Sequence, residues 1–174
     1  MTQRLLPFLA LALLAPSIRA GEKETKEFTR STIDLGVVVS DVEKSAKFYT
    51  QAIGFSEIKG FSVPGDFCKN AGLTSGKGLT IRVFVLKNEG SATRLKLMSV
   101  PGVKSKKSNN KTIHNQLGFS YITIHISNTK AALARLKEAG VKPIAKGPVA
   151  IPGTKAFLTV VRDPDGNLVE LVGP

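Results

Sequence analysis

The sequence predicts an α+β domain built from two βαβββ modules in tandem. Three observations predict it. An apolar strand closed by a helix-start signal occurs twice, each following helix stops at a glycine, and each half ends in two strand patterns around a turn. In the first half, residues 34–41 (Asp-Leu-Gly-Val-Val-Val-Ser-Asp) form the opening strand. Ser40, with Glu43 three residues on, makes an S-x-x-E capping box, so a helix is expected over about 41–53. Val42, Ala46, Tyr49 and Ile53 share one face of it. Gly54 ends it in the manner of a C′ glycine, and residues 55–61 resume an extended pattern. Strands at 79–86 and 93–100 then flank a turn over 87–90.

The second half repeats the order. Residues 121–128 (Tyr-Ile-Thr-Ile-His-Ile-Ser-Asn) form a strand ending at a Ser127 cap. A helix over about 128–139 carries Ala132, Leu133, Leu136 and Ala139, Gly140 stops it, and 141–145 is extended. Strands at 155–162 and 167–172 flank Asp163-Pro-Asp-Gly166, a turn in which Pro fixes φ and Gly accepts a positive one. The halves match residue by residue: Asp34 with Tyr121, Val38 with His125, Ser40 with Ser127, Gly54 with Gly140. Lys96, between Leu95 and Leu97, matches Glu170 between Val169 and Leu171. Module 1 is therefore 32–100, a basic linker follows at 101–117, and module 2 is 118–174.

Residues 1–20 read as a secretory signal: Arg4 ahead of an apolar stretch over 5–15, then the small residue Ala20 at the cleavage point. Residues 21–31 form a flexible leader, and the mature product is expected to be secreted or periplasmic. No apolar run reaches the ~20 residues of a membrane span, so no span is expected in the mature chain. The whole chain carries a net charge of +12; without Arg4 and Arg19, 23 basic residues face 13 acidic ones, a net +10. Such an excess steers anions. The densest run, Lys104, Lys106, Lys107 and Lys111, lies among Ser and Asn without aromatics, so it reads as a solvated loop and no nucleic-acid partner is expected.

The single cysteine, Cys68, excludes an intrachain disulfide and any multi-cysteine zinc site. It lies in a loop over 65–72, a lid candidate, where a buried inert thiol is the commoner outcome. Arg82 is either an anion contact or the partner of a carboxylate, and strand parity alone leaves both open. His114 reads as a surface residue of the linker. No Walker loop, H-E-x-x-H or G-x-S-x-G occurs.

Two passages resemble the vicinal oxygen chelate superfamily, the glyoxalase, bleomycin-resistance and extradiol dioxygenase group. Residues 33–55 are similar to its opening strand and S-x-x-F-Y helix, and 162–171 to its closing D-P-D-G-N-x-x-E-L hairpin. The resemblance covers 32–174 and implies a glyoxalase-like fold, two βαβββ modules forming a half-barrel cleft. It also implies four inward positions that hold one divalent ion in metal-using members: Asp34, Tyr121, Lys96 and Glu170 here. Such members usually have His, Gln or Glu at the first two and often Glu at the third. An ammonium has no lone pair to give a metal and repels one, and a protonated phenol is a poor ligand. The expectation is that no metal cofactor is used. Were one divalent ion present, Asp34 and Glu170 would be its ligands. In the metal-free reading, Lys96 stands where the ion would sit and neutralises Asp34 and Glu170, with Tyr121 as a hydroxyl donor.

His125, four residues after Tyr121 on one strand, falls on the same face. His125 and Tyr121 are the catalytic candidates, His125 as a proton carrier. Asp34, Lys96, Tyr121, His125 and Glu170 together are the expected ligand-binding residues. The first functional reading is an exported protein that binds a small molecule, for which the net charge suggests an anion. The alternatives are a metal-dependent lyase, isomerase or dioxygenase of the same superfamily, and a cell-envelope-binding module. Members of that superfamily build the barrel within one chain or by exchange between two; the sequence leaves both open, and a homodimer is common in such folds.

Overall fold

The computed structural model of the chain describes residues 28–174, so the predicted signal at 1–20 and most of the leader lie outside the described residues. Strand β1 (Leu35–Val38) leads into helix α1 (Val42–Lys47), which continues without a break as a π-helical stretch, Phe48–Ile53. Strand β2 (Ser56–Val63), the short helix α2 (Gly65–Asn70), β3 (Leu79–Val85) and β4 (Leu95–Ser99) complete module 1. Module 2 runs β5 (Tyr121–His125), α3 (Thr129–Glu138), β6 (Val149–Ala150), β7 (Phe157–Arg162) and β8 (Leu168–Gly173). The two sheets have equivalent orders, β1-β4-β3-β2 and β5-β8-β7-β6, and they do not close into a barrel.

Register confirms the internal repeat. Gly36 pairs with Lys96 in the parallel β1–β4 ladder, and Thr123 pairs with Glu170 in the parallel β5–β8 ladder. Lys96 and Glu170 are thus equivalent, as are Asp34 and Tyr121 two residues before their strand partners. Alternation along each strand puts one set of side chains on the helices and the other on the open face. The helix-facing set is shared. Leu95, Leu97 and Phe84 of the first sheet, and Val169, Leu171 and Val161 of the second, join Tyr49, Ile53, Ala132 and Leu136 in one buried core. Both open faces therefore turn away from the helices.

Local chemistry differs from the sequence reading in four places. The cap of α1 is Asp41, whose Oδ1 accepts from Lys44 N at 2.9 Å, and that of α3 is Asn128, whose Oδ1 accepts from Ala131 N at 2.9 Å. Ser40 and Ser127 give way because an Asx side chain is an equally good acceptor one residue later. The first helix widens after Lys47: the N–H of Gly54 reaches back five residues to Tyr49 O at 3.0 Å. Gly54 then turns the chain at φ +98°, as a C′ glycine should. Residues 141–145 form no strand, since Pro143 lacks an N–H; the pairing falls instead to β6. The loop expected over 65–72 is α2, which packs the fully buried Cys68 against Leu79, Ile81 and Val83.

A polar clasp joins the modules. Asp163, 4% exposed, accepts at Oδ1 from the backbone N–H groups of Asp165 and Asn167. Its Oδ2 accepts from Asn167 Nδ2 at 2.8 Å and from Tyr49 OH at 3.0 Å. Asp165 Oδ2 takes the backbone N–H of Ser40 at 3.0 Å. From α3, Arg135 donates to the carbonyls of Ala52 (3.1 Å) and Ile53 (2.8 Å), satisfying the end of the first helix. The closing turn is thus more than a turn.

Candidate functional site

The facing edges of β1 and β5 are not hydrogen-bonded to each other, and a cleft of about 270 Å³ opens between them. Asp34, Gly36 and Tyr121 line it, with Phe119 and Ser120 at one side and Tyr49 and Asn167 among the remaining wall. The repeat thus brings Asp34 and Tyr121 to one cavity.

Lys96 reaches the cleft through Asp34. Its Nζ lies 2.7 Å from Asp34 Oδ2, and the ammonium stands 5.9 Å from the centre of the Phe61 ring. A second cation, Arg30, places Nη2 at 2.9 Å from Asp34 Oδ1. The Oδ1 atom is buried beneath that guanidinium. Burial alone would raise the Asp34 carboxyl, but hydrogen bonds and charge from Lys96 and Arg30 outweigh it and hold the group below its ordinary 3.8. Asp34 is a fixed carboxylate with a cation on each oxygen.

Glu170 departs from the expected three-charge cluster. Its Oε2 accepts from Thr123 Oγ1 at 2.8 Å, and Lys96 forms its ion pair with Asp34 alone. Each side chain takes the partner on its own sheet, because the gap between β1 and β5 separates the two ladders. His125 departs as well. It shares Tyr121's face by alternation, yet it lines a second groove with α3 and the β3–β4 turn. Four strand residues span roughly 13 Å, enough to carry it from one cavity to the other.

Arg30 belongs to the Asp34 cluster and Thr123 is the partner of Glu170, and the sequence reading missed both. Thr123 was legible by parity, two residues from Tyr121 on the same face. Arg30 sits four residues before Asp34 in a segment read as leader, so no periodicity marked it. Arg82 resolves as a carboxylate partner. It grips Glu57 through Nε (2.6 Å) and Nη2 (2.7 Å) and Glu43 through Nη1 (2.7 Å). The guanidinium in turn holds the Glu57 carboxyl below its ordinary 4.5.

The donor set does not suit a divalent ion. One of the four inward positions holds an ammonium already paired to the carboxylate at another, and a third holds a phenol. Among the described residues, no three His, Cys, Asp or Glu side chains cluster closely enough to hold a metal.

A sequence model described as the Glyoxalase/Bleomycin resistance protein/Dioxygenase superfamily matches residues 32–171. Among solved structures, the chain is similar to a glyoxalase family protein from Bacillus cereus, with 17% identity and a TM-score of 0.69 over 86% of this chain and 97% of that one. It is similar to a trypanothione-dependent glyoxalase I from Leishmania major, at 26% identity and a TM-score of 0.57, covering 83% and 87% of the two chains. Similarity extends to a glyoxalase I variant from Zea mays, at 18% identity and a TM-score of 0.61, covering 81% of this chain and 44% of that one. No curated protein matches the chain. With two equivalent βαβββ modules in matching register and a family match across both, the chain belongs to the glyoxalase, bleomycin-resistance and dioxygenase superfamily.

Proposed function

We propose that the protein binds a small molecule in the β1–β5 cleft without a divalent ion. The observation that carries this reading is the 2.7 Å contact between Lys96 Nζ and Asp34 Oδ2. A bound cation at the same place would meet the ammonium's repulsion and would have to break the pair. The net charge of the chain does not carry over to the cleft. Arg30 and Lys96 are both engaged by the Asp34 carboxylate, so an anion gains little there. An uncharged ligand with an apolar body fits the cleft better. Apolar walls from Leu35, Val37, Ile122 and Phe119 favour such a body.

Metal analysis of protein purified without chelators tests the first part: far less than one equivalent per chain is expected, and close to one equivalent overturns it. Thermal-shift screening of matched neutral and anionic compounds tests the second. Neutral compounds should raise the melting temperature more than their anionic counterparts, and the reverse order overturns this part. We also propose export, which N-terminal sequencing of the mature protein tests: a start near Gly21 supports it, and an intact Met1 overturns it.

A further inference from the structure

We propose that the groove holding His125 is a second ligand site, one that takes a small organic monoanion with an apolar body. It measures about 530 Å³ and shares no lining residue with the β1–β5 cleft. Its floor is apolar, built from Ile53, Ile124 and the exposed Leu86. The decisive wall is Arg135. Two of its nitrogens are fixed by the carbonyls of Ala52 and Ile53, which orient the guanidinium and offset its charge only in part, through their dipoles. Among the described residues, no Asp or Glu comes within 4.0 Å of it. A partly buried, immobilised guanidinium without a carboxylate partner, on a residue that lines a cavity, is a carboxylate site in waiting.

Lys87 adds a second cation at the rim, and His125 adds a ring nitrogen that can donate. Glu89, 4.0 Å from Lys87, opposes them, so one positive charge remains in excess and a monoanion is favoured over a dianion. The start of α3 is not the source of attraction, since Asn128 already caps it.

Benzoate is the probe, with benzyl alcohol as its uncharged counterpart, each titrated into isotope-labelled protein and followed by backbone amide and His125 ring resonances. Saturable shifts confined to Ile53, Leu86, Lys87 and residues 124–132 are expected. Benzyl alcohol should bind about tenfold more weakly, and Arg135→Gln should weaken benzoate by about the same factor. Should Arg135→Gln fail to fold, the exposed Lys87→Glu serves instead and should lower the affinity while leaving the fold intact. Absence of saturation, equal binding of the two probes, or shifts at Asp34 and Tyr121 in place of His125 overturns the proposal. Because the cavities share no residue, failure here leaves the β1–β5 reading standing, and the reverse holds too.

Discussion

Lys96 decides what kind of site the cleft is. Its ammonium satisfies Asp34 Oδ2 and so removes the acid a metal would need first. Replacing that cation by an acid, Lys96→Glu, should reverse the preference by setting a second carboxylate beside Asp34. Manganese is then expected to raise the melting temperature of Lys96→Glu and leave the wild type unchanged; an equal response in both proteins would count against the assignment. Acid titration probes the same pair. The Asp34 and Glu57 carboxyls titrate lower in the folded protein than in the unfolded chain, so their stabilisation is complete above about pH 5. It is lost as pH falls through their depressed folded values. Chemical unfolding between pH 6 and 2.5 should show stability falling with acid, and Asp34→Asn should flatten part of that slope.

Between elements, the first helix and the closing turn of module 2 hold each other. Burial, reinforced by the Asp163 carboxylate, pushes the Tyr49 phenol far above its ordinary value, so it remains a protonated donor at any working pH. Tyr49→Phe removes one hydrogen bond to a buried carboxylate and should cost about 1.5–3 kcal/mol in urea unfolding. No loss would mean that Asn167 alone suffices. At the far end of the same helix, Gly54→Ala forces a Cβ into a left-handed turn and to 3.3 Å from the Arg135 guanidinium. A loss of roughly 1–2 kcal/mol is expected from the backbone alone.

Across the whole molecule, one core drawn from both sheets and both long helices makes the modules a single folding unit. Calorimetry should show one transition, with Leu97→Ala lowering it through a loss of about 2–5 kcal/mol; two separable transitions would contradict the shared core. The repeat was legible in sequence because its signals are local. Strand alternation, glycine stops and the Asp-Pro-Asp-Gly turn act within a few residues, and they fixed both the fold and the equivalence of Asp34 with Tyr121 and Lys96 with Glu170. Tertiary structure alone decided which charges meet. The unpaired gap between β1 and β5 gives Lys96 to Asp34 and leaves Glu170 to Thr123. Docking of α3 on the first helix carries His125 into another groove, beside a guanidinium that no carboxylate pairs with among the described residues. Such contacts join residues far apart along the chain, where periodicity has no reach and only the packing of the two modules sets the distance.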